Sequence, residues 1–340
     1  MHRLLDLRGD FAEGFVRTGI ALLPLGFEAL ALILDVTEEL GVYEPDGDLM
    51  RILPTFLLFC CVPLGWAAEQ HPAFGVVLQV DRGLRSIRVS CQEIPGYMDP
   101  VVMDFPVRDA EELDGLQPGT LIDFTLVVEK NSAYAAAIRI HQFQSADSEP
   151  MAARQLNLVE SLVGSGSDAS KKLEVGQRVP DFSLIDQKGQ SISLSSFTGK
   201  VVGITFMYTH CPFPTYCFRL SNNFGMIRKR FPDRLGRDLI LLNITFDPVH
   251  DQPDALAEYA RNWNAAGVPG WYFLTGTVSE VQKVCHEFGM NFWQDEGLIT
   301  HALHTVILDR RGKLDANLEG NEFTAQQLGD LFDSVLREPK

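Results

Sequence analysis

At 340 residues, with 46% apolar side chains and a formal charge of −16, the chain is long enough for two domains and too apolar to be disordered. So acidic a balance argues against a nucleic-acid partner, because phosphate contacts require a basic surface, and no polybasic run offers itself to anionic lipid. Six cysteines are too few for a disulfide framework and fit a metal-binding or catalytic pair plus others.

The first feature in chain order is Met50-Arg51 followed by an apolar run from Ile52 to Leu64, with Gly65 and Ala67 at the −3 and −1 positions of a small-residue exit. Residues 50–67 therefore read as a secretory signal peptide. The run holds Pro54 and Pro63 and falls short of the roughly 20 residues that span a membrane. A signal peptide begins its protein, so Met50 is the expected start and residues 1–49 an upstream mis-start or a disordered extension. The alternative is an uncleaved membrane anchor; a second apolar segment, Ile20 to Val36, is broken by Glu28 and Asp35. Removal of the leader would take Cys60 and Cys61 with it, leave Cys91, Cys211, Cys217 and Cys285, and place the protein in the periplasm.

Residues 72–143 carry five strand patterns, Val76–Val80, Ser86–Ser90, Val101–Phe105, Leu121–Val128 and Tyr134–His141, with turns at Asp81-Arg82-Gly83 and Lys130-Asn131-Ser132 and one short helix within Asp109–Leu116. Five strands in about 70 residues predict a small all-β barrel of the OB type. The stretch from Cys91 to Val107, with Met98 and Met103, followed by Leu116-Gln117-Pro118-Gly119, resembles the periplasmic copper-binding domain related to CusF. The resemblance implies His where Cys91 stands and Met at Val101 and Met103; only Met103 matches. Cys91, Met98 and Met103 form a candidate second site, since thiolate and thioether are soft ligands suited to Cu(I). The competing reading packs both methionines in the barrel.

Residues 144–172 form a linker. Ala152 to Leu162 has a short helical pattern, and Gly164-Ser165-Gly166-Ser167-Asp168 predicts a flexible tether that lets the two domains move independently. Residues 173–340 alternate strands (Val201–Met207, Leu239–Phe246, Thr305–Leu308) with helices (Cys217–Arg230, Pro253–Asn264, Val278–Gly289, Thr324–Arg337), which predicts α/β layering. Asp251 and Pro253 mark the start of the second helix and Gly289 the end of the third. Cys285 falls in a helical apolar pattern and reads as a buried structural thiol, and Met207, Tyr208, Phe224 and Met226 read as core.

Cys211 and Cys217 lie just past the apolar run Val201–Met207, at the C-terminal end of a strand and the entrance to a helix. In open α/β sheets ligands bind at that end, and a helix N-terminus favours thiolate. His301 precedes the strand at Thr305. Two thiolates and an imidazole make a soft ligand set that suits Cu(I). A structural disulfide is the competing reading of the cysteine pair. His210 and His304 are alternative histidines, and Asp247 reads as a helix-capping loop carboxylate or as a group near the site.

The segment Val175–Phe182 opens as many thioredoxin-like proteins do. Gly203–Phe224, Asp247-Pro248 and Leu298–Thr305 are similar to the Sco/SenC family of copper-handling thioredoxin-fold proteins. That resemblance implies Cys211, Cys217 and His301 as ligands of copper (Cu(I), with Cu(II) a second state) and Cys211 with Cys217 as a redox pair kept active by a thiol reductant. It also implies the copper subunit of cytochrome c oxidase, or another copper acceptor, as partner. The family spaces its cysteines C-x3-C; here the spacing is C-x5-C, with Pro212 and Pro214 in the added length. The leading expectation is an exported, non-enzymatic copper chaperone. The alternatives are a periplasmic thiol-disulfide oxidoreductase and a passive copper buffer. Thr209 gives T-x-C rather than the T-x-x-C of peroxiredoxins, and Leu298–Leu308 lacks the proline of thioredoxin-type reductases.

Overall fold

The computed structural model describes residues 68–130, 132–143, 172–290, 292–295 and 298–338. The expected leader, the residues before it and nearly all of the expected linker lie outside the described residues.

The N-terminal domain is an antiparallel five-stranded sheet: β1 (Glu69–Asp81), β2 (Ser86–Cys91), β3 (Val101–Pro106), β4 (Leu121–Glu129) and β5 (Ser132–Ile140), in the order β3-β2-β1-β4-β5. The edge strands meet at one isolated parallel bridge, Val107 to Ala135, rather than along a ladder. The expected helix is a short 3-10 turn, Ala110–Leu113. β1 runs far beyond the five residues expected, and its centre is buried on both sides. Ala73 and Val77 face the core of this domain with Val89, Phe105 and Ile122. Val76 and Leu78 face the other way and join the core of the second domain. Alternation along a strand produces this split.

The second domain has a seven-stranded sheet, ordered β14-β13-β8-β9-β10-β6-β7. Its strands are β6 (Ser183–Asp186), β7 (Ser191–Ser193), β8 (Val201–Met207), β9 (Leu239–Thr245), β10 (Trp271–Thr275), β13 (His304–Leu308) and β14 (Leu314–Glu319). β11 (Phe292–Asp295) and β12 (Leu298–His301) form a separate hairpin. The helices are α1 (Arg219–Arg230), α2 (Pro253–Asn262), α3 (Val278–Glu287) and α4 (Ala325–Arg337). β8 pairs in parallel with β9, β9 in parallel with β10, and β13 runs antiparallel to β8, the layered arrangement of a thioredoxin-like fold. Every residue of β8 and β9 is buried, as expected of strands covered on both faces. At Gly203 any Cβ would stand 2.4 Å from Phe332 of α4, so only glycine allows α4 to seat there.

The two domains do not sit apart as the tether composition suggested. Ser90 Oγ donates to Asp330 Oδ2 on α4 at 2.7 Å, and Gln327 Nε2 donates to the Ser90 carbonyl at 2.9 Å in a buried contact. A flexible linker says nothing about the surfaces that it joins. Three smaller expectations also change. Asp251 does not cap α2, whose N-cap is Gln252. Met226 is 43% exposed, because the inner stripe of α1 is Leu220, Asn223, Phe224 and Ile227 and position 226 falls outside it. α1 begins at Arg219 rather than Cys217, after an irregular turn over Pro214–Phe218 in which Tyr216 has φ −102° and ψ −111°.

Candidate metal centre

Cys211 stands in the loop that leaves β8, and its amide donates to the Tyr208 carbonyl. Cys217 stands in the irregular turn before α1 and is fully buried, whereas Cys211 is half-buried. Both are free thiols. His301 ends β12, with a side chain 8% exposed. The three side chains meet at the Cys211 sulfur. The Cys217 thiol hydrogen-bonds to it, and this holds Cys211 well below the ordinary thiol range; burial opposes the shift and a hydrogen bond with His301 adds to it. The same thiol-to-sulfur bond, together with burial and the Cys211 charge, pushes Cys217 well above that range. The pair thus carries one thiolate, on the more accessible sulfur, and titrates as a unit.

The expected source of this acidity was a helix N-terminus. The structure supplies another, since α1 starts eight residues beyond Cys211 and the helix field fades within a turn.

His301 Nδ1 bonds the Ala302 carbonyl at 2.8 Å. A carbonyl only accepts, so Nδ1 carries the proton and Nε2 keeps its lone pair in the neutral ring. Metal-binding histidines are commonly oriented in this way. Aromatic rings fix the imidazole further: Phe246 lies 4.6 Å from it, Tyr208 6.0 Å and Tyr216 6.2 Å, centroid to centroid. Tyr208 was expected only as core. It is buried, yet it also hydrogen-bonds Cys211, and burial together with both thiols pushes its phenol up. Its place directly after a largely apolar strand, three residues before Cys211, was the available signal.

The loop after β9 braces this centre from one side. Asp251 is fully buried and accepts from the Thr209 amide (3.0 Å), the Thr209 hydroxyl (2.5 Å) and the Thr245 hydroxyl (2.5 Å). It therefore ties the β9 loop to the β8 loop that carries Cys211. Burial raises its carboxyl above the usual range even with these donors. Asp247 accepts from His250 Nδ1 at 2.9 Å and caps no helix. His210 is exposed, bonded to Thr209 Oγ1 and 3.9 Å from Asp251. His304 is buried against Asn317 Oδ1 at 2.9 Å, and burial pushes its imidazole down. Cys285 is buried in α3, where its thiol is pushed up by burial.

In the first domain Cys91 is buried and Met98 packs against the same core. Met103 of β3 lies opposite Val89 of β2, two pairs along from Cys91–Val101, and is 37% exposed. Burial pushes the Cys91 thiol up to about 12, so a metal there would have to displace a firmly held proton. The Cys211 centre starts from a thiolate. Among the described residues no group of three or more His, Cys, Asp or Glu side chains forms a ready-made metal cage. The three candidate ligands close on the Cys211 sulfur, and a metal would have to take the place of the Cys217 proton between them.

Two family models match. Residues 170–335 match SCO1/SenC, and residues 70–140 match the copper binding periplasmic protein CusF. Over residues 170–335 the chain is similar to the SCO1/SenC family. The SCO2-like protein RT0576 of Rickettsia typhi is 27% identical over 161 residues, which are 45% of this chain and 73% of that protein. Protein sco1 of Schizosaccharomyces pombe is 28% identical over 157 residues, 43% of this chain; the match spans only 56% of the yeast protein. Among solved structures, Arabidopsis thaliana ScoI with copper bound aligns at 21% identity with a TM-score of 0.41, covering 46% of this chain and 97% of that one.

Proposed function

We propose that the protein is an exported copper chaperone that carries Cu(I) on Cys211, Cys217 and His301 and passes it to a copper acceptor, the copper subunit of cytochrome c oxidase being the first candidate. The observation that carries this reading is the meeting of both sulfurs and an imidazole at Cys211, with His301 Nδ1 already committed to Ala302. Two sulfurs and one nitrogen match the soft, low-coordinate preference of Cu(I). Release by ligand exchange needs an accessible donor, and half-buried Cys211 supplies the entry point while Cys217 and His301 stay behind it. A thiol reductant would keep the pair open for loading. The β-domain, whose Cys91 holds its proton tightly, serves as a secondary site at most. Transfer tests the reading: after Cu(I)-loaded protein is mixed with a soluble copper-subunit domain of the oxidase and the two are separated, metal analysis should find copper on that domain. Loaded Cys217→Ser should not. Equal transfer from both, or none from the wild type, contradicts the proposal.

A further inference from the structure

The segment Gly320–Thr324, between β14 and α4, touches both cysteine-bearing regions of the molecule. Gly320 N donates to the Leu303 carbonyl at 2.8 Å, two residues beyond His301. Gly320 has φ +85°, and a Cβ there would stand 2.7 Å from Phe143, so the backbone is pinned between the domains. Asn321 is buried, and its Nδ2 donates to the Thr215 carbonyl, two residues before Cys217. The Glu322 carbonyl accepts from Arg219 at 3.5 Å, two residues after Cys217, and from Gln92 Nε2 at 3.2 Å, one residue after Cys91. Arg219 also reaches the Phe323 carbonyl at 3.4 Å. Gln92 Nε2 further bonds Gln327 Oε1, 3.1 Å away, which in turn accepts from the Thr324 amide at 2.9 Å.

Ser90 and Gln92 face α4, so alternation turns the intervening Cys91 to the opposite side, into the β-domain core. The β-domain therefore presents amide and hydroxyl groups to its neighbour, not its thiol. We infer that the β-domain acts on the dithiol centre by position: Gln92 clamps the 320–324 segment, and Asn321 of that segment sets where the turn bearing Cys217 stands relative to Cys211 and His301. Gln92 and Asn321 are positioning residues. The irregular turn over 214–218 lacks a side-chain cap of its own, so its register depends on outside partners such as the bond from Asn321. This inference rests on the dithiol–imidazole reading of the site and names what controls it.

The test compares Gln92→Ala and Asn321→Ala with Ser90→Ala in the full chain. Ser90 bonds Asp330 on α4 and does not touch the 320–324 segment, so its loss weakens domain docking without releasing the clamp. Two readouts are taken on each variant. One is Cu(I) affinity against a chromophoric chelator. The other is the equilibrium in which the protein dithiol and oxidised glutathione exchange for the Cys211–Cys217 disulfide and two reduced glutathiones. Losing one hydrogen bond should shift both constants by roughly 2- to 10-fold in Gln92→Ala and Asn321→Ala and leave Ser90→Ala at the wild-type value, although melting temperature falls in all three. Equal constants in Gln92→Ala and Ser90→Ala, at matched losses of melting temperature, overturn the clamp. Should the wild type fail to bind Cu(I), the copper reading fails and the clamp is judged on the glutathione equilibrium, which needs no metal.

Discussion

At the residue scale, the centre is asymmetric by construction. Cys211 is half-buried and acidic because it accepts from Cys217; Cys217 is buried and holds its proton because it donates. Free thiols ionise near about 8.5, so Cys211 in the reduced protein should alkylate with iodoacetamide in mildly acidic buffer, where Cys217 and Cys285 do not. Cys217→Ala removes the main source of that acidity and should move the onset of alkylation to distinctly higher pH, read by mass spectrometry of the trapped thiols. An unchanged onset would show that His301 alone sets it. Residue type and spacing made Cys211, Cys217 and His301 legible as candidates. What they could not give was the approach of Cys217 to Cys211, which depends on a turn with non-helical backbone at Tyr216. The aromatic cage of Phe246, Tyr208 and Tyr216 was equally hidden, because rings from three separate segments meet only in the fold.

At the scale of elements, the long apolar strands and the capped amphipathic helices were readable. Val201–Met207 is a continuous apolar run and is β8 to the residue; Thr324 begins a capping box with Gln327, and α4 follows. Short strands with little apolar content, such as Ser191–Ser193 and Leu314–Glu319, were missed because three to six mixed residues carry too weak a period. The run Val76–Val80 read as a strand, yet the unbroken burial of Gly75–Leu78 has a second meaning: a strand covered on both faces. That double burial was the available sign that another domain packs on it. The Cys211–Cys217 loop is the element on which redox control would act. A thiol already bonded to its partner sulfur needs little movement to close a disulfide, and a disulfide offers no thiolate to copper. Oxidation should therefore abolish Cu(I) binding, with the fraction of copper bound tracking the fraction of dithiol along a redox titration. Full Cu(I) affinity after thiol counting shows both positions oxidised would redirect attention to Cys91, Met98 and Met103.

For the whole molecule, docking of the β-domain has a titratable component. His141 bonds Asp123 of its own domain at 2.6 Å and the Glu322 carboxylate across the interface. Burial lowers its affinity for a proton, but the two carboxylates win and its imidazole is raised above the ordinary value. A folded-state pKa above the unfolded one stabilises fully below about pH 6.5, and that contribution is lost as pH rises through the raised value. The melting temperatures of wild type and His141→Gln should therefore differ most in mild acid and converge in mild alkali; a gap that does not depend on pH would mean that the proton plays no part. The central claim concerns the metal. Competition with a Cu(I)-specific chelator, run on reduced protein under anaerobic conditions, tests it most directly. The account predicts one tightly held Cu(I) per chain, lost by about 100-fold or more in affinity in Cys217→Ser and in His301→Ala, because each removes one of three ligands. His304→Ala should keep its copper, since its imidazole is spent on Asn317 in the core. Wild-type affinity in Cys217→Ser and His301→Ala together with loss in Cys91→Ser would place the metal in the β-domain and contradict the account.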